Sequence, residues 1–205
     1  MIRAATPADV PALTVLIERS ARELSRGFYT DRETESAITH VFGVDSSLVA
    51  DGTYFIVESA GTFAACGGWS RRRTLYGGDQ RPVDAPVSAA VGAAVGAAVG
   101  APSALLDPAV DAARIRAFFV APEFARKGMG RLLLTHCSAA AFAAGFTSLE
   151  LMATLPGVPF YAALGFREVE AVRDLLPDGV ALPFVRMVRR LDDTTLESDA
   201  TGAHE

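Results

Sequence analysis

The chain has 205 residues, of which 50% are hydrophobic and 21% charged. This is the length of one domain with a substantial core, and the balance excludes a wholly disordered chain. The net charge of −5 comes from the C-terminal tail, where Asp192, Asp193, Glu197, Asp199 and Glu205 stand without Lys or Arg; residues 1–191 are neutral, which argues against nucleic-acid binding.

In chain order, residues 2–5 read as a short strand. Thr6 then caps a helix with Pro7 in its first turn, and Val10, Leu13, Ile17 and Leu24 recur at helical spacing to about residue 25. A second helix is expected over 31–41. Residues 53–58 form a strand, Ala60-Gly61 a turn, and 63–69 the hairpin partner. Within the stretch from 81 to about 108, a Val-Gly-Ala-Ala repeat of period four over 87–100 supplies only small side chains. Residues 82–103 therefore read as a mobile insertion between strands. A strand over 113–120, a helix over 128–144 with Gly145 as its C-cap, and a strand over 149–153 follow. A short helix over 159–164 and strands over 167–172 and 184–188 complete a mixed α/β domain spanning 1–191. The tail, 192–205, reads as disordered.

No apolar run approaches the roughly 20 residues of a membrane span, so no membrane association is expected. Residues 1–7 lack the apolar core of a secretory signal, which makes the cytoplasm the expected compartment. Cys66 and Cys137 lie in apolar stretches and read as buried thiols. His40, His136 and His204 show no metal-type spacing, so no metal is expected. There is no G-x-S-x-G elbow and no nucleophile–base pair.

The informative stretch is Ile115 to Leu134. A hydrophobic strand ends at Val120, Pro122 stops it, and Arg126-Lys127-Gly128-Met129-Gly130-Arg131 opens a helix. Unpaired N–H groups at a helix start suit a phosphate, and glycine lets the ligand approach the backbone. The third position of a dinucleotide fingerprint is Leu133, not glycine, and the Gly-Lys-Ser/Thr of a nucleotide P-loop is absent. On these residues alone, a tight turn with solvated basic side chains remains an equal alternative. About thirty residues on stands Pro159-Phe160-Tyr161-Ala162-Ala163-Leu164-Gly165-Phe166.

With Val120 and Pro122, the loop from Arg126 to Gly130, and Phe160-Tyr161 before Gly165-Phe166, in this order, the chain resembles the GNAT superfamily of acyl-CoA-dependent N-acyltransferases. The resemblance implies a single domain with a central, mixed, mostly antiparallel twisted sheet flanked by helices. It implies that backbone groups of Phe118, Phe119 and Val120 pair with the pantetheine arm of acetyl-CoA as an added strand. It implies that backbone N–H groups of Arg126, Lys127, Gly128, Met129, Gly130 and Arg131 hold the pyrophosphate, and that Tyr161 protonates the departing thiolate. Ala125 departs from the family, which usually has Gln or Arg three residues before the first glycine; Arg126 and Lys127 are expected to supply the charge instead. The implied activity is N-acetyl transfer to a primary amine of a small molecule or a protein, and a homodimer is compatible with it. An idle acyl-CoA-binding module on the same fold is the alternative.

Acyl transfer to an amine needs a proton acceptor. Glu150, on the strand beside Val120's, is the best carboxylate by position, and an exposed strand acid is its plainer reading. Glu33 and Glu35 are weaker. Arg71-Arg72-Arg73 reads as a solvated hairpin end, and Phe28-Tyr29 as a packing corner that borders the acceptor in the family.

Overall fold

The computed structural model describes residues 1–77, 79–80 and 105–192. The insertion at 82–103 and the tail beyond 192 lie outside the described residues, and with them the expectations of mobility and disorder. The strands are β1 (Ile2–Ala4), β2 (Tyr54–Ser59), β3 (Thr62–Ser70), β4 (Ala113–Val120), β5 (Ser148–Thr154), β6 (Arg167–Leu175) and β7 (Ala181–Arg190). The helices are α1 (Val10–Leu24), α2 (Asp31–His40), α3 (Ser46–Ala50), α4 (Met129–Ala143) and α5 (Val158–Ala163).

Local chemistry explains most boundaries. The Asp9 carboxylate accepts from Thr6 N–H at 2.8 Å, closing the turn that feeds α1. Thr30 and Glu33 cap α2 reciprocally, with Thr30 N–H donating to Glu33 at 2.8 Å. Gly145 follows α4 at φ +92°, a left-handed position that suits glycine. Helix α3 was not expected from the sequence: it is five residues long, and Asp45 holds it by accepting from Ser47 and Leu48 N–H at 3.1 and 3.3 Å. Strand β7 begins before the expected residue 184 because Pro183 is tolerated inside it. β5 ends opposite Phe184, so at Pro183 only β6 flanks the strand and a missing N–H breaks no second ladder.

The seven strands form one sheet in the order β1-β2-β3-β4-β5-β7-β6. All neighbours are antiparallel except β4 and β5, which the α4 crossover makes parallel. Each face carries a core. On one, Leu133, Leu134 and Cys137 of α4 and Tyr161 of α5 pack with Ile115, Leu149 and Met187. On the other, Leu13, Leu16 and Ile17 of α1 pack with Leu48, Tyr54, Ile56 and Phe184.

Two irregularities open the middle of this sheet. First, β4 and β5 pair only at Ala113↔Leu149 and Arg114↔Glu150, after which they part. Second, β4 is bulged: Arg116 lies opposite Gly68 and Phe119 opposite Cys66, so Ala117 and Phe118 share Gly67. Ala117 carries the extra residue at φ +51°. The bulge resets the alternation of sides. Phe118 and Val120 face the α4–α5 core, and Ala117 and Phe119 face the α1 core. Gly67 is needed there, since a Cβ on it would sit 2.3 Å from the Phe118 ring.

Candidate functional site

A cavity of about 690 Å³ lies where β4 and β5 separate. Its walls come from both faces of the sheet. Phe118, Val120, Met129 and Tyr161 line it from the α4–α5 side, and Ala21, Leu24, Phe42 and Phe184 from the α1 side. It is thus a slot through the sheet. Beyond Arg114, the edge of β4 that faces β5 has no strand partner among the described residues, while its other edge continues on β3 as far as Val120. Backbone groups along 118–120 are open to an extended ligand that would add a strand.

At the end of β4, Pro122–Phe124 makes a single 3-10 turn and the chain doubles back through Arg126, at φ +61°, and Gly128, at φ +79°. The N–H groups of Arg126, Gly128, Met129, Gly130 and Arg131 have no acceptor among the described residues. These five residues line the cavity. Free N–H groups converging on the positive end of a fifteen-residue helix bind an oxyanion such as a phosphate. Gly130 is required by closeness: a Cβ there would meet the Phe160 ring at 3.2 Å and Val120 at 3.4 Å. Lys127 differs from the sequence expectation. Its N–H donates to Phe124 O at 3.3 Å, its ammonium stands 5.8 Å from the Phe124 ring, and it is not among the cavity residues.

Tyr161 is 8% exposed, and rings enclose it: Phe160 at 5.0 Å, Phe166 at 5.5 Å and Phe118 at 6.5 Å between centroids. Burial, with a smaller contribution from the Cys137 thiol, pushes its phenol well above the ordinary range. The phenol therefore holds its proton across the neutral range.

On the opposite face, β4 presents Arg116, whose guanidinium meets Asp45 at 2.7 Å and donates to Gly77 O at 2.6 Å. Burial drives Asp45 up and Arg116 down, and each partner's charge opposes that. The Gly77 contact ties the segment after β3 to β4. In that segment the Tyr76 hydroxyl donates to the Asp174 carboxylate at 2.5 Å, and its ring lies 5.3 Å from Phe184. Phe28 lines the cavity and is 48% exposed. Tyr29 is a packing residue: its hydroxyl donates to Pro183 O at 2.6 Å and accepts from Leu155 N–H at 3.0 Å.

The carboxylates weighed from the sequence are engaged elsewhere. Glu150 is buried, not an exposed strand acid; it pairs with Arg114 and, at 2.7 Å, with Arg186, and it does not line the cavity. Glu33 caps α2, and Glu35 pairs with Arg22 at 2.8 Å. The arginine run is not a free hairpin end, since Arg72 pairs with Asp51 at 2.6 Å and bridges to Leu105. Cys66 and Cys137 are unbridged and buried; burial pushes the Cys66 thiol up to about 12 and Cys137 higher still. Among the described residues, no group of three His, Cys, Asp or Glu is placed to hold a metal ion, and no helix is long and apolar enough to cross a membrane. Sequence reasoning missed Arg116 as a buried anchor, Tyr76 and Asp174. A Tyr between two short irregular stretches carries no spacing signal, and the segment that places Tyr76 is outside any regular element.

Residues 86–168 match the family model described as the acetyltransferase (GNAT) domain. A seven-stranded mixed sheet flanked by helices, parted between β4 and β5, is the GNAT fold. The chain thus has the fold of this superfamily, and the family model matches its middle part. Among solved structures, a GCN5-related N-acetyltransferase from Rhodopseudomonas palustris is similar with a TM-score of 0.63 at 16% identity, covering 93% of this chain and 95% of that one. The PaiA N-acetyltransferase of Thermoplasma acidophilum, solved with coenzyme A, gives 0.57 at 12% identity over 93% of this chain and 98% of that one. A putative acetyltransferase, YncA, from Salmonella typhimurium, solved with acetyl-CoA, gives 0.56 at 16% identity over 94% of each chain. No protein of curated function matches the sequence.

Proposed function

We propose that the protein is an acetyl-CoA-dependent N-acetyltransferase that moves the acetyl group directly to a primary amine of a small molecule or a protein. The observation that carries this reading is the slot through the sheet, with an unpaired β4 edge leading to free helix-start N–H groups at one end and a protonated, buried phenol beside it. In this reading, acetyl-CoA lies along 118–120 with its pyrophosphate on the N–H groups of Arg126 and of Gly128 through Arg131. The two cofactor-bound structures of similar fold support the choice of ligand.

The chemistry follows from what the residues can do. Holding thioester and amine at the same gap between strands converts a bimolecular reaction into a local one. The neutral amine nitrogen attacks the carbonyl carbon, the C–N bond forms and the C–S bond breaks. The nitrogen sheds two protons from its ammonium form: one replaces the proton Tyr161 gives to the thiolate, and one passes to solvent. No covalent intermediate on the protein is needed, which fits two buried, high-pKa cysteines.

Thermal-shift titration with acetyl-CoA, CoA and NAD tests the reading. Both CoA species should raise the midpoint in a concentration-dependent way, and NAD should not. No shift with either CoA species removes it. The idle acyl-CoA-binding module is favoured by one observation: none of the described residues lining the cavity is Asp, Glu or His. Binding of acetyl-CoA without turnover of any primary amine would select it.

A further inference from the structure

Arg116 is 6% exposed and lines the slot. A guanidinium carries five N–H donors. Among the described residues Arg116 makes one hydrogen bond, to Gly77 O. Its 2.7 Å contact with Asp45 is an ion pair that leaves Asp45 Oδ2 without a hydrogen bond. The Arg116 Nε–H is buried and has no partner there either. A buried donor left unpaired costs free energy, and one on a cation costs more. A ligand that brings acceptor oxygens to this guanidinium removes that cost. A carboxylate brings two, with charge of the right sign.

The place of Arg116 along β4 says which ligand it meets. With acetyl-CoA along 118–120 and its pyrophosphate beyond the end of the strand, the acyl group points back toward Ala117 and Arg116. Ala113 and Ile115 face the α4–α5 core, where Tyr161 lies, so Arg116 between Ile115 and the bulge projects to the other side. The guanidinium therefore stands on the side of the amine that arrives, away from the thiol that leaves. Around it the wall is apolar: Leu24, Phe28, Val41, Phe42, Leu75 and Phe184 line the cavity from that side. A hydrocarbon side chain gains by burial against such a wall, whereas a second charge would leave water without a partner.

We propose that the acceptor is an apolar amino acid whose carboxylate docks on Arg116 while its amino group faces the thioester. The inference rests on the N-acetyltransferase reading above and narrows its acceptor. The full chain is first titrated calorimetrically with acetyl-CoA. It is then assayed at saturating acetyl-CoA with L-phenylalanine, with phenethylamine, which is the same amine without the carboxylate, and with L-glutamate. L-Phenylalanine should show a kcat/KM about tenfold or more above the other two, the size of one charge-assisted hydrogen bond. Arg116→Gln should shrink the preference for L-phenylalanine over phenethylamine about fivefold or more. Comparing that ratio between variant and parent cancels the difference in basicity of the two amines. Arg116→Lys, which keeps a cation beside Asp45, serves where Arg116→Gln does not fold, and should shrink the ratio less. Phenethylamine or L-glutamate turned over as well as L-phenylalanine overturns the assignment. So does a loss equal for both amines in the Arg116 variants, which would make Arg116 a residue of the fold alone. Acetyl-CoA binding without acetylation of L-phenylalanine overturns it as well. Failure to bind acetyl-CoA removes the functional reading itself, and this inference with it.

Discussion

The hydroxyl of Tyr54 donates to the carbonyl of Ala117 across 3.0 Å, joining the fully buried side chain of β2 to the bulged residue of β4. The bulge takes that carbonyl out of the regular ladder, and Tyr54 gives it a partner. Tyr54→Phe removes a hydrogen bond to a half-buried carbonyl and should destabilise the fold by about 1 kcal/mol. Because the same bulge turns Phe118 and Val120 toward the slot, the variant should also bind acetyl-CoA more weakly. Denaturant titration paired with calorimetry checks both effects; an unchanged midpoint and unchanged affinity would show that the bulge holds itself.

Tyr161→Phe keeps the enclosing ring contacts and removes the proton. The expected outcome is a lower kcat with acetyl-CoA affinity nearly unchanged. A positioned acid contributes about 10²–10⁴-fold, and a thiolate is a tolerable leaving group, so the loss should fall at or below the low end. The measurement is kcat at saturating amine across pH 6–9. Parent-like turnover throughout would make Tyr161 a packing residue.

Gly130 and Gly128 should fail differently. Gly130→Val places branched carbon against Phe160 and Val120, where even a Cβ lies at 3.2–3.4 Å. Overpacking of this kind costs about 1–3 kcal/mol, and the moved backbone should weaken CoA binding markedly. At Gly128 a Cβ meets nothing within 4 Å, but φ is +79°. Gly128→Ala should therefore cost about 1–2 kcal/mol of backbone strain, and Gly128→Asn less. Calorimetry with CoA on the three variants separates crowding from strain; parent-like affinity in Gly130→Val would argue against a pyrophosphate on this loop.

Which parts of this molecule were legible in its sequence depends on how local their causes are. The hairpin at Ala60-Gly61, the cap at Thr6 and the stop at Gly145 follow from neighbours in sequence, and so do the strands and helices they bound. The helix-start loop was legible because glycine and proline mark backbone that must turn. Glu150 was misplaced because an alternating strand pattern gives a side, not a partner: the pairing with Arg114 and Arg186 depends on β4 and β7 arriving beside β5. The Tyr76–Asp174 bond spans 98 positions. Nothing within a window of the chain announces it.

Acid should loosen the N-terminal strand first. Arg3, at 2.8 Å, and the Thr6 cap hold the Asp9 carboxyl well below its ordinary value of 3.8, the guanidinium contact contributing most. A depressed carboxylate adds stability that is complete above the unfolded value and fades as pH falls below about 3.8 toward the folded one. Asp9→Asn should thus be less stable than the parent near neutrality, and the gap should close in acid. A gap in thermal midpoint that stays constant from pH 6 to pH 3 would mean that Asp9 acts only as a cap.

The two residue pairs that join β4 to β5 have a mechanical consequence. Among the described residues, Ala113↔Leu149 and Arg114↔Glu150 are the only strand pairs that tie the β1–β4 half of the sheet to the β5–β7–β6 half. The other described ties across that seam run through side chains, among them the Arg114–Glu150 ion pair and the Tyr76–Asp174 hydrogen bond. A ligand laid along the open edge would act as a splint, turning two hinged leaves into one board. Amides in the far halves of β4 and β5 should then exchange hydrogen together, quickly in the empty protein and slowly once the gap is bridged.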